Sequence, residues 1–262
     1  MQPATILRMK NQLHIFLTAV MFYTRIPVPR SLPYSDEMLN RSTRWFPFIG
    51  WIVGGIGAGI FYGLQFVFPA MLAILLSMIA TIFVTGAFHE DGFADFCDGF
   101  GGGYTKEKIL TIMKDSRIGT YGSIGLVGIL AVKFLSLASF DTKTIPLAIV
   151  AAHALSRLMP VVVIFTSEYA RADLESKSKP IGKKGKTTDL LMAIFFGLSG
   201  LAFLPLLFSA IIVPALLLVT VVFRKYITGK LGGYTGDCLG ALQQLSEVLF
   251  YLGLIAFQHF SA

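Results

Sequence analysis

The feature that most limits what this chain can become is a succession of long apolar runs. They lie at 46–68, 70–88, 118–140, 144–166, 189–208, 209–223 and 237–260. Most approach the roughly 20 residues that a helix needs to cross a bilayer. Only 14% of the 262 residues are charged, against roughly 25% in a typical soluble domain. So few charges cannot cover a water-facing surface or keep a chain disordered. The predicted class is an all-α integral membrane protein, a single polytopic domain over 1–262 with about seven transmembrane helices. An eighth apolar run, at 13–23, is too short to span and is expected to form an interfacial or re-entrant helix. No small-x-small cleavage site follows it, so it is not read as a removed signal peptide.

The net charge of +7 in such a chain points to lipid head groups and membrane orientation rather than to nucleic acid. Segments 25–45, 89–117, 167–188 and 224–236 together carry seventeen lysines and arginines, whereas the loops on the opposite side carry only Lys143. The positive-inside rule places the four basic segments in the cytoplasm and the C-terminus outside. Cys97 and Cys238 are the only cysteines, which excludes a disulfide framework and a four-cysteine zinc site. Gly55, Gly59 and Gly63 recur at i, i+4 inside an apolar run with no strand before it. That pattern predicts close helix packing rather than a dinucleotide loop.

The chemistry concentrates in HEDGFADFCDGFGGG, 89–103, expected at the cytoplasmic end of the second span. Asp91, Asp95 and Asp98 fall on one helical stripe about 60° wide. Carboxylates so placed repel one another unless a cation lies between them, and oxygen-only donors suit Mg²⁺, with Mn²⁺ as a substitute. Glu90 points about 100° away from Asp91 and is the weaker metal ligand. In MKDSRIGTYG, 113–122, Asp115 and Arg117 offer one charge of each sign to a phosphate-and-metal site. In GGYTGDCLGALQQLSE, 232–247, Thr235 or Asp237 can cap the last helix, while Gln243, Gln244 and Glu247 carry polarity into the membrane. Glu247 lies about 15 Å beyond Asp237 along a helix. In the fourth span His153 reads as a core histidine. Arg157 matches the depth of Glu247 and is expected to pair with it or to bind a substrate phosphate, because lone intramembrane charges are costly. Lys133, near the outer end of its span, is expected to snorkel. The run KSKPIGKKGK, 177–186, with Lys183 and Lys184, suits lipid head groups or an anionic substrate.

In chain order, FYTRIPVP at 22–29, RWFPFIG at 44–50, HEDGFADFCDGFGGG, KDSRIGTYG and GGYTGDCLGA resemble the cobalamin synthase family of adenosylcobinamide-GDP ribazoletransferases. The resemblance covers nearly the whole chain. It implies an Mg²⁺-dependent enzyme integral to the cytoplasmic (inner) membrane, with its active site facing the cytoplasm. The substrates it implies are adenosylcobinamide-GDP and α-ribazole or its 5′-phosphate, with GMP released. The implied metal carboxylates are Asp91, Asp95 and Asp98. One of them, or Asp237, would accept the hydroxyl proton. Asp115, Arg117, Arg157, Lys183 and Lys184 are the candidate substrate contacts, and a homo-oligomer is left open. Two other classes fit parts of the pattern. A CDP-alcohol-phosphotransferase-like lipid enzyme would share an Asp-rich membrane helix, but its DGxxAR signature is absent. An ion-coupled transporter would place its charges near the midplane, commonly within an inverted repeat, and no repeat is evident. Release of GMP from a diphosphate substrate separates the first reading from a transporter.

Overall fold

The computed structural model describes residues 3–170 and 185–261, with side chains from Lys10 onward. Among the described residues the chain is helical apart from turns and one isolated bridge between Tyr169 and Tyr234. The helices are α1 (Pro3–Tyr23), α2 (Asp36–Ser42), α3 (Phe46–Leu64), α4 (Ala70–Thr85), α5 (Phe88–Gly102), α6 (Lys106–Ile112), α7 (Thr120–Ala138), α8 (Thr144–Thr166), α9 (Thr187–Ser199), α10 (Leu206–Leu231) and α11 (Gly236–Ser261). Local chemistry sets several ends. Ser35 and Thr105 accept backbone N–H groups at the starts of α2 and α6, the usual service of an N-cap hydroxyl. Pro69 and Pro205 precede α4 and α10, where their missing N–H costs nothing. Gly232, at φ 77°, closes α10 in the left-handed conformation.

All seven apolar stretches are helical, but they differ in reach. Five helical segments are long and apolar enough to cross a membrane: Asp36–Leu64, α7, α8, α10 and α11. The sixth candidate is α4 and α5 taken together, and these are bent by 87°. With 16 residues, α4 alone rises about 24 Å, short of a hydrocarbon core of roughly 30 Å. The stretch at 189–208 gives only the shorter apolar segment Thr187–Phe203. The stretch at 209–223 belongs to the 26-residue α10.

The core centres on α8, which is buried along most of its length and packs against α3, α11, α9 and α10. The glycines of α3 permit this approach, but not the ones the spacing suggested. Gly55, Gly59 and Gly63 have open space where a side chain would go. Gly50 and Gly54 press against α8 instead: a methyl group at Gly50 would collide with the His153 carbonyl, and one at Gly54 would lie 3.0 Å from the His153 Cβ. A Cβ at Gly57 would stand 2.6 Å from Thr81 Cγ2 of α4. Both stripes are glycine-rich on one helix, and only the partner's position selects between them.

The bend between α4 and α5 corrects the expectation that the acidic motif continues the second span. Gly86 (φ 66°) and Ala87 (φ 58°) are both left-handed, which ends α4 and redirects the chain. The Arg25 backbone N–H donates to the Val84 carbonyl at 2.7 Å, and a side chain at Gly86 would meet the Arg25 guanidinium. The motif therefore forms a helix of its own, laid across the end of α4.

Candidate functional site

Helix α5 carries the acidic motif, and α11 carries Asp237. The two are among the most closely packed helices of the molecule. Their contact runs through glycine. A Cβ at Gly92 would lie 3.1 Å from the Asp237 Cα, and one at Gly240 would lie 3.2 Å from the His89 carbonyl. Gly92 sits between Asp91 and Asp95 in sequence, so this close approach sets the backbone of Asp237 beside the α5 aspartates. The α11 cap is Thr235, whose Oγ1 accepts the Cys238 N–H at 3.2 Å and whose hydroxyl donates to Asp237 Oδ2 at 3.3 Å. Of the two residues able to cap this helix, Thr235 is the one used at that N–H.

The predicted aspartate stripe is divided in function. Asp91 is exposed, Asp95 half-buried and Asp98 buried. Asp98 Oδ2 accepts the Gly119 N–H at 2.6 Å, and Oδ1 accepts the Gly122 N–H at 2.8 Å. These are N-terminal amides of α7 that its own backbone leaves unpaired. Asp98 is thus a cap delivered from a neighbouring helix, where its charge also opposes the positive end of the helix dipole. Any side chain on Gly119 or Gly122 would strike its carboxylate, which explains the glycines of the IGTYG segment. The signal was present in the sequence as two glycines three apart at a helix start, but nothing in it named the partner.

Glu90 turns away from the stripe into the bundle, where its Oε1 accepts from Gln244 Nε2 at 3.0 Å. Asp115 and Arg117 pair with each other on the surface. The Arg117 Nε and Nη2 donate to the two oxygens of Asp115 at 3.0 and 2.8 Å, and this fork pulls the Asp115 carboxyl down to about 2. The pair lies just before Gly119, and so beside the Asp98 anchor. Lys183 and Lys184 lie outside the described residues.

Behind the stripe the bundle holds a buried polar network. Lys133 Nζ lies 2.5 Å from Glu247 Oε1, and His153 Nε2 lies 3.3 Å from the same oxygen. Gln243 Nε2 donates to Glu247 Oε2 at 2.9 Å and to Ser156 Oγ at 3.0 Å, and Gln244 Nε2 donates to Gln243 Oε1 at 2.9 Å. Hydrogen bonds therefore run from Glu247 to Glu90, next to Asp91. The expected Arg157–Glu247 ion pair is not formed. Arg157 Nη1 donates to the His153 carbonyl at 2.9 Å and faces His153 Nδ1 at 3.0 Å, with its guanidinium carbon 5.8 Å from the Phe46 ring. It is fully buried in the bundle. Lys133 does not snorkel; it is 3% exposed and supplies the cation that Glu247 requires. Depth counted along a helix matched Arg157 to Glu247, but it carries no information on helix rotation, and α7 also packs against α11. A second buried pair, Arg44 Nη1 to Asp189 Oδ1 at 2.8 Å with Gln12 accepting from Nη2 at 2.5 Å, ties α1 and α9 to the start of α3 and has no signal in the local sequence.

Comparison with known proteins bears on the same motif helices. The family model described as cobalamin-5-phosphate synthase matches residues 15–255. The chain belongs to the cobalamin-5-phosphate synthase family. A relative from Vibrio parahaemolyticus is 43% identical over 250 residues, covering 95% of this chain and 94% of its own. One from Shewanella amazonensis is 42% identical over 254 residues, with 94% and 96% covered. One from Ralstonia pickettii is 44% identical over 242 residues, with 91% and 94% covered. All three bear the name adenosylcobinamide-GDP ribazoletransferase. No solved structure matches the chain.

Among the described residues, no three His, Cys, Asp or Glu side chains stand where they would hold one ion, so the expected cage of Asp91, Asp95 and Asp98 is not preassembled. The donor chemistry still fits a hard dication. Asp91, Asp95 and Asp237 offer only oxygen, from two helices in contact. Mg²⁺ is commonly held by one or two carboxylates and completed by substrate phosphates rather than by an all-protein cage.

Proposed function

We propose that the chain is an adenosylcobinamide-GDP ribazoletransferase, which joins the cobinamide phosphate of its corrinoid substrate to α-ribazole or its 5′-phosphate and releases GMP. The observation that carries this reading is the glycine-mediated contact of α5 with α11, which sets Asp237 beside Asp91 and Asp95 in a chain matched nearly end to end by relatives of that name.

In this reaction a ribose hydroxyl of the acceptor attacks the phosphorus attached to cobinamide. The new P–O bond forms as the bond to the bridging oxygen breaks, and GMP departs with that electron pair. The hydroxyl proton passes to a carboxylate, Asp237 or one of the α5 aspartates. Bound Mg²⁺, or Mn²⁺ in its place, would neutralise the diphosphate and the charge on the departing phosphate; Asp91, Asp95 and Asp237 are the residues to hold it. Asp98 acts indirectly, fixing α7 and the Asp115–Arg117 segment against α5. Arg117 is the candidate phosphate clamp, since its fork fits a phosphate as it fits the Asp115 carboxylate. Arg157 is enclosed by the bundle and serves the interior rather than the substrate. The acidic end faces the cytoplasm from the cytoplasmic membrane, a placement supported by the seventeen basic residues of the four segments on that side.

The test is GMP release by the purified protein reconstituted in vesicles with both substrates. GMP should appear in step with corrinoid product, vanish with EDTA and return with Mg²⁺. Asp91→Ala and Asp95→Ala should lower turnover at least about a hundredfold, the scale of losing transition-state charge stabilisation. No GMP release in the presence of Mg²⁺ would overturn the activity. Undiminished release in EDTA would overturn the metal alone.

A further inference from the structure

A cleft of about 450 Å³ opens where the end of α8 meets the end of α10. Thr166 and Ser167 line it on one side, and Arg224, Lys225, Thr228 and Gly232 on the other. Arg224 is anchored there, its Nη1 donating to the Thr166 carbonyl at 3.0 Å. Lys106 adds a third cation, its Nζ only 3.6 Å from where a Gly232 Cβ would stand. Among the described residues of the lining, Glu168 is the one acid. Cations with neighbouring hydroxyl groups make an environment for a phosphate-sized anion.

The cleft is also tied to the helices that carry the reacting carboxylates. On α10, Phe223 packs against Phe96 of α5 with ring centroids 5.2 Å apart, and Tyr226 packs against Phe100 at the same distance. Arg224 and Lys225 follow Phe223 on this helix, so the cleft cations are carried by a helix packed directly on the one that bears Asp95. Gly232 precedes Asp237 by five residues, which can bridge at most about 18 Å. The chain between them is hooked, since the Tyr234 N–H donates to the Glu168 carbonyl at 3.0 Å and its own carbonyl accepts from Ala170 at 2.8 Å. Gly233 fits into this hook because any side chain would strike the Glu168 carbonyl. The cleft floor and Asp237 are therefore two ends of one fixed segment.

Resting on the activity proposed above, we propose that this cleft is the subsite for the 5′-phosphate of the acceptor nucleotide, with Arg224 and Lys225 as its principal contacts. An acceptor in the phosphorylated form brings a phosphomonoester dianion next to a diphosphate, and like charges in one site must be kept apart and separately compensated. A second, cationic subsite next to the carboxylate-bearing helix provides that separation. It also discriminates the phosphorylated acceptor from free α-ribazole, which has no group to place there.

The test uses the full chain reconstituted in uncharged phosphatidylcholine vesicles, with GMP release followed for each acceptor. In Arg224→Gln and Lys225→Gln, KM for α-ribazole 5′-phosphate should rise at least tenfold. KM for adenosylcobinamide-GDP and kcat/KM for free α-ribazole should stay within twofold of wild type. Arg224→Lys should recover part of the loss, and inorganic phosphate should compete with the phosphorylated acceptor in wild type more strongly than in the variants. Equal losses for both acceptors, or no loss for either, would overturn the subsite while leaving the activity standing. If the variants recover when phosphatidylglycerol is added, and the two acceptors behave alike, the cleft holds a lipid head group and the proposal falls. Absence of GMP release from wild type would strike the proposed function itself.

Discussion

Removing Lys133 tests whether the interior charges of this bundle are held as a pair. In Lys133→Met the shape of the side chain is roughly kept, but Glu247 loses an ammonium 2.5 Å away. Its remaining contacts are Gln243, Tyr251 and His153 at 2.9–3.3 Å. None of them is a fixed cation, and the Glu247 side chain is 1% exposed. Breaking a buried pair from one side costs about 3–5 kcal/mol, because one charge stays behind without compensation. For a chain of this size each kcal/mol shifts Tm by about 2–4 °C, so Lys133→Met should melt on the order of 10 °C below the parent. Glu247→Gln should lose a similar amount by stranding Lys133. The double variant Lys133→Met, Glu247→Gln should recover most of the loss, since replacing both partners removes the desolvation penalty along with the attraction. Helical circular dichroism followed through thermal unfolding in detergent reads this out, at one scan rate for all proteins because such unfolding is commonly irreversible. Single variants melting within about 2 °C of the parent would refute the pairing. So would a double variant whose loss equals the sum of the two, because sites that do not interact add.

Two further outcomes follow from close contacts. Gly50→Ala should destabilise by about 1–3 kcal/mol, because its methyl meets the His153 carbonyl with no room to relax; Gly55→Ala, into open space, should be neutral or stabilising by up to about 1 kcal/mol. Thermal melts of the two variants side by side check this, and equal effects would reject the assignment of the packing stripe. Asp98→Ala should cost about 1–2 kcal/mol for the lost cap and reduce GMP release, while Asp98→Asn, which keeps an acceptor oxygen, should be milder in stability; an Asn variant as unstable as the Ala variant would reject the cap.

Some properties of this protein follow from sequence alone because their causes are local. Apolar run length sets where helices form, and all seven runs are helical. The scarcity of charge excludes a water-facing surface. Family membership is readable in the contiguous motifs at 89–103, 114–122 and 232–241. Other properties depend on how helices are rotated and which of them touch, and no single stretch encodes that. Gly55, Gly59 and Gly63 repeat at one-turn helical spacing, as do Gly50, Gly54 and Gly57, yet only the second set meets a partner. Asp98 looks like the third member of a metal stripe, but α7 lies against α5 and presents two unpaired amides to it. Arg157 and Glu247 agree in depth, but Glu247 finds its cation on α7. A helix announces its apolar face by periodicity; which neighbour covers that face is decided by long-range packing, where one glycine or one left-handed residue such as Ala87 redirects everything after it.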